Sequence, residues 1–116
     1  MDEKAYAQVM LAELYARSKA QFGNAVRSQW FYDGAGCPGC GRQVDAIKSP
    51  KGDQLSLNTF IYRKRGVLIG YLLCSRCAKK IHQGARRNPG RETALHAAIE
   101  ANLIKGYQDH MNSLDA

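Results

Sequence analysis

Apolar and polar residues alternate along this chain in stretches of different period, and the period names the elements. Over Glu3–Phe22, the residues Ala7, Leu11, Tyr15, Ser18 and Phe22 recur at helical spacing beside the row Tyr6, Met10 and Leu14, which predicts a helix with one broad apolar face. Its charges balance, Lys4, Arg17 and Lys19 against Asp2, Glu3 and Glu13, so the face reads as one that packs within the protein and not on a membrane surface. Gly23-Asn24 forms its C-cap, with residues 25–29 open to continuing as helix after a kink. Trp30-Phe31-Tyr32 follow as core aromatics that fasten this helix to the next segment, or else as a stacking surface. Residues 44–47 suggest a short strand through Val44 and Ile47. Ser49-Pro50-Lys51-Gly52-Asp53 is then a turn or loop, either a solvated connection or a contact loop carrying Lys48 and Lys51.

Residues 58–62 and 67–73 are rich in β-branched and aromatic side chains and flank Arg63-Lys64-Arg65-Gly66, which predicts a hairpin with a basic tip. Good helix formers follow at residues 78–83. Gly84-Ala85-Arg86-Arg87-Asn88-Pro89-Gly90 breaks the periodicity and opens a basic linker. A last helix starts near Arg91, with Leu95, Ile99, Leu103, Tyr107, Met111 and Leu114 in one stripe beside Ala98, and Glu92, His96 and Glu100 on another face. The stripe is longer than the middle of the chain can cover. It is expected to pair with the N-terminal helix through Leu11, Leu14, Leu103 and Tyr107, within one chain or across a homodimer.

The cysteines change this picture most. Cys37-Pro38-Gly39-Cys40 is answered by Cys74-Ser75-Arg76-Cys77, and the chain has four cysteines in all. Two Cys-x-x-Cys pairs suit one Zn²⁺ per chain, because a two-residue spacer lets a tight loop present both sulfurs to one metal. Disulfides expect a secreted chain, whereas residues 1–25 hold no apolar signal-peptide core, so the expected setting is the reducing cytosol. A redox dithiol would leave the second pair unexplained. Iron in an all-thiolate site, or a cluster, stays open beside zinc. Gly39 and Gly41 give the first pair the backbone of a knuckle, and the second pair falls at the start of a helix, where thiolates gain from the helix dipole. His82, five residues after Cys77, reads as a surface residue or one that supports the ligands from behind, since four sulfurs already complete a tetrahedron.

Knuckle, hairpin and a helix carrying the second ligand pair resemble the treble-clef zinc-finger group over about residues 36–84, on the strength of Cys37, Cys40, Cys74, Cys77 and the hairpin. A zinc ribbon would follow its second pair with Gly and a strand, and neither is present. The resemblance implies an α+β chain: a small treble-clef-like module flanked by N- and C-terminal amphipathic helices. With 116 residues, one domain is expected, comprising a helical segment at 1–29, the zinc module at 36–84 and a C-terminal helix at 91–114. Treble clefs serve nucleic-acid-binding, nuclease, ubiquitin-related and structural roles, so the resemblance narrows function only modestly.

Charge narrows it further. Residues 1–22 are neutral and residues 92–116 carry −3, but residues 23–91 hold thirteen Lys or Arg against Asp33, Asp45 and Asp53, leaving +10. Four metal-bound thiolates and a divalent ion lower this to +8. The expected contact residues are Arg63, Lys64 and Arg65 at the hairpin tip, Arg76, Lys79 and Lys80 on the helix, and Arg86 and Arg87 beyond it. They fit nucleic acid bound by its phosphates, without strong sequence preference. The alternative is an acidic protein surface, as for an accessory protein of a phage, plasmid or bacterium that inhibits a nucleic-acid-binding machine. Catalysis is not expected, because four cysteines close the metal's coordination sphere and the hairpin and helix lack the paired histidines of a nuclease. No apolar run is long enough to span a membrane.

Overall fold

The computed structural model describes residues 3–32, 34, 36–48, 50, 52–53, 55–87, 90 and 92–114, with residues 3–8 and 24 described by backbone alone. The chain is α+β. Helix α1 spans Glu3–Phe22 and is followed by a 3₁₀ turn at Gly23–Ala25; strands β1, β2 and β3 span Ser28–Phe31, Ser56–Tyr62 and Val67–Leu73; helices α2 and α3 span Ser75–Arg87 and Ala94–Leu114. The chain forms two compact units, one of Met1–Tyr32 with Leu57–Tyr71 and one of Asp33–Ser56 with Leu72–Ala116.

In the first unit the strand order is β1-β3-β2. Central β3 is buried almost throughout, as its unbroken run Val67-Leu68-Ile69 requires, whereas β2 is only half-buried. Strand β1 pairs with β3 in parallel, Ser28 beside Val67 and Phe31 beside Gly70, and the Tyr32 amide extends the pairing to the Gly70 carbonyl at 2.8 Å. Helix α1 lays Leu11 on Gly70. A Cβ at Gly70 would stand 2.7 Å from Leu11 Cδ1, so the missing side chain is what lets the helix lie this close. Leu11, Val26 and Leu68 form a core cluster, with Leu14, Tyr15, Phe31 and Ile61 packed around them. Gly23, at φ 61°, ends α1 in the left-handed conformation expected of a C-capping glycine.

In the second unit α3 begins at a side-chain cap, the Thr93 hydroxyl accepting the His96 amide at 3.2 Å. Ile99 and Leu103 are the buried part of its stripe, while Met111 and Leu114 are exposed. Leu95 and Ile99 both come within 3.4 Å of where a Cβ on Gly39 would sit, and Asn102 Nδ2 donates to the Pro38 carbonyl at 2.7 Å. The first half of α3 therefore lies against the Cys37–Cys40 loop.

Several expectations need correction. Residues 25–29 do not continue α1: they turn and enter β1, because the Arg27 and Ser28 amides both bond the Gly66 carbonyl, at 2.6 and 3.2 Å. Gly84 does not end α2, which runs on to Arg87; a Cβ there would meet Thr93 Cγ2 at 3.0 Å, so the glycine serves a close approach inside the helix. Ile47 makes an isolated bridge and Val44 none, so no strand forms there. The contact-loop residue Lys51, the linker residues Asn88 and Pro89, and Arg91 at the expected helix start lie outside the described residues. So do the side chains of Tyr6 and Ala7.

Candidate metal centre and cationic surface

The first cysteine pair is held by its own backbone. Gly41 N donates to Cys37 O at 2.8 Å and Cys37 N donates to Arg42 O at 2.7 Å, closing a tight loop. Gly36 and Gly41 adopt φ of 96° and 79°, and a Cβ at Gly36 would stand 2.6 Å from the Gly41 carbonyl oxygen. No larger residue fits that turn without strain. The second pair straddles the start of α2, with Cys74 just before the helix and Cys77 in its first turn. A Cβ on Gly39 would lie 2.9 Å from Cys77 Sγ, so this glycine also admits the second pair to the first.

The four sulfurs all lie within 4.8 Å of one another, and Cys40 Sγ is 3.5 Å from Cys74 Sγ. A tetrahedron of sulfurs at the usual zinc–sulfur length has edges of about 3.8 Å. The group is thus sized to hold one metal ion. Two amides already point at sulfur, Gly39 N at Cys37 Sγ (3.3 Å) and Cys77 N at Cys74 Sγ (3.4 Å), the arrangement that favours thiolate over thiol. Cys37, Cys74 and Cys77 are buried and Cys40 is exposed. Burial pushes the Cys74 and Cys77 thiols up, while the Arg42 amide leads the contacts that lower Cys40. Ionising several packed sulfurs is unfavourable without a cation among them. A divalent ion reverses that balance, so the donor set fits a metal.

Two residues that sequence reasoning missed brace the site. Asp45 accepts hydrogen bonds from the Ser75 amide at 2.9 Å and the Ser75 hydroxyl at 2.7 Å, capping α2 beside Cys74. Asn102 ties α3 to Pro38 inside the first pair. Both act across long sequence separations, and nothing in their local sequence signals the role. His82 is exposed and stands apart from the four-sulfur group.

The expected cationic residues are all exposed, and they fall into two sets, one in each unit. Arg63, Lys64 and Arg65 occupy the turn between β2 and β3. Arg76, Lys79, Lys80, Arg86 and Arg87 lie on α2, which contains no acidic residue. At 100° per residue these five and Gln83 share an arc of about 120°. Cys77, Ala78, Ile81 and Gly84, all buried or half-buried, fall on the opposite side, and half-buried Ser75 lies at the edge of the cationic arc. Comparisons with protein-family models, with curated proteins and with solved structures find no match for this chain.

Proposed function

We propose that the metal is zinc, that knuckle, hairpin and α2 make a treble-clef-like module, and that the protein binds nucleic acid by its phosphate backbone through the outer face of α2. The observation that carries this reading is the two-sided character of α2. One side supplies Cys77 and the residues packed beside it, and the other carries five exposed cations without an acid among them. When bound, zinc joins the two cysteine pairs and neutralises part of their charge. The chain's own residues do the rest. Asp45 and the paired sulfurs fix the first turn of the helix, so the Arg76, Lys79, Lys80, Arg86 and Arg87 side chains project from a rigid rod and not from a flexible loop. A rod of this length rises about 17 Å from Arg76 to Arg87, enough to meet several successive phosphates.

The role is one of binding and not of catalysis, because four sulfur ligands leave a tetrahedral ion no open position. Phosphate contacts give affinity without base preference. If the five cations each meet a phosphate on duplex DNA, the logarithm of affinity falls against the logarithm of salt with a slope of roughly −4 to −5. Titration of the zinc-loaded protein with random duplex, single-stranded DNA and RNA at several salt concentrations tests this. No binding to any of them at low salt overturns the reading and leaves an acidic protein surface as the partner of the same face.

A further inference from the structure

The first unit carries a cationic cluster of which the sequence announces only the hairpin tip, Arg63, Lys64 and Arg65; two further segments add to it. Arg27 is exposed, yet it is tied to the hairpin turn: its amide donates to the Gly66 carbonyl at 2.6 Å. Its Cγ and Cδ lie 3.2 and 3.4 Å from where a Cβ on Gly66 would stand, so the stem of Arg27 runs over the residue that directly follows Arg65. Gly66 has φ 65° and is buried, so its lack of a side chain both permits the turn and makes room for that stem. Lys19 reaches the same neighbourhood from α1. Its Nζ sits 5.9 Å from the Tyr15 ring centre, and the Tyr15 hydroxyl donates to the Arg27 carbonyl at 3.0 Å.

Arg27, Arg63, Lys64 and Arg65, flanked by Lys19, thus gather at one end of this unit. The unit's sequence from residue 14 to 32 and from 57 to 71 contains no Asp or Glu. Among the described residues no ion pair engages any of these five. Like charges brought together on packed backbone, with no carboxylate paired to them among the described residues, raise a local positive potential that an anion relieves.

We propose that this end of the first unit is a second phosphate-binding site, completed by Arg27, for the backbone of the same nucleic acid. It takes its choice of partner from the reading of α2, but it stands on different residues. A nucleic-acid backbone fits better than a single small anion, because the cations are spread over a turn, the segment leading into β1 and a helix.

The test uses the full-length, zinc-loaded protein and a random-sequence duplex of about 20 base pairs, with binding followed by fluorescence anisotropy across a salt series. Arg27→Met keeps the stem that packs on Gly66 and removes the charge; Arg27→Lys keeps a charge. The expected result is that Arg27→Met flattens the salt slope by about one at an unchanged melting temperature, while Arg27→Lys retains the wild-type slope. Arg63→Ala/Lys64→Ala/Arg65→Ala should flatten it by two to three, roughly, on the same rule. An unchanged slope in Arg27→Met, or wild-type binding by the triple variant, overturns the second site. Neutralising the five cations of α2 separates the two readings. If that variant keeps the full slope and the triple variant loses it, the α2 reading fails and this one stands; the reverse result sinks this one alone.

Discussion

The two units of this chain meet the same difficulty, too few residues for a deep core, in different ways. The first packs Leu11, Val26 and Leu68 between a helix and a sheet and contains no cysteine. The second buries Leu73, Ile99 and Leu103 and adds four sulfurs within 4.8 Å of one another. Apolar packing is cooperative but modest at this size, whereas metal binding in small modules contributes on the order of 10–16 kcal/mol. The contrast teaches that the four-cysteine group is drawn wholly from residues of the second unit, while the first relies on apolar packing.

Metal removal should widen that contrast most. In the zinc-loaded protein, amides of α2 and of α3 near Ile99 and Leu103 are expected to be protected from hydrogen exchange; after chelation, or in Cys74→Ser, they should exchange freely, a loss approaching the ~10–16 kcal/mol of metal binding. Amides in β3 near Leu68 and Ile69 should keep much more of their protection. Equal loss in both units would show that the metal supports the whole chain, and full zinc content in Cys74→Ser would refute the four-sulfur site.

Truncating one core residue in each unit gives the next largest effect. Leu11→Ala and Leu103→Ala each remove a buried leucine, and each should cost about 2–5 kcal/mol. Leu11→Ala should leave zinc stoichiometry and affinity unchanged. Leu103→Ala should weaken zinc retention as well, since α3 braces the first cysteine pair. A competition assay with a chromogenic chelator separates the two. Zinc affinity lowered equally by both substitutions would erase the distinction between the units.

The smallest effect concerns Asp45. The Ser75 hydroxyl and then the Ser75 amide hold its carboxyl below the usual carboxylate range. A lowered folded value means that the contribution is present above the unfolded value, about 3.9, and is lost as pH falls through the folded one. Asp45→Ala should therefore lower the second unit's unfolding midpoint at neutral pH, and the gap from wild type should narrow in acid. A gap that stayed constant across that range would mean the carboxylate's charge plays no part.

Much of this was legible in the sequence because it is local. The bounds of α1, the start and end of β3 and the basic turn between β2 and β3 follow from the spacing of apolar residues and one glycine-ended turn. The four clustered cysteines follow from Cys-x-x-Cys spacing, since the geometry that brings two sulfurs together is contained within each pair. The stripe of α3 was legible too, but not its partner. Periodicity says that a face is apolar and is silent about what covers it.

What the tertiary structure decided is everything that depends on residues far apart in the chain. The strand at Ser28–Phe31 forms because β3 offers it a parallel edge, and four residues beginning Ser-Gln carry too little β signal to declare themselves. That pairing alone brings Arg27 to Gly66, so the cation that completes the hairpin cluster was invisible until the register was known. Gly84 reads as a helix breaker, at a propensity cost of about 1 kcal/mol, yet α2 runs through it, and a Cβ there would meet Thr93 Cγ2 at 3.0 Å. Asp45 caps a helix thirty residues away. Sequence fixes such residues' chemistry, but their partners are chosen only when packing brings the segments together.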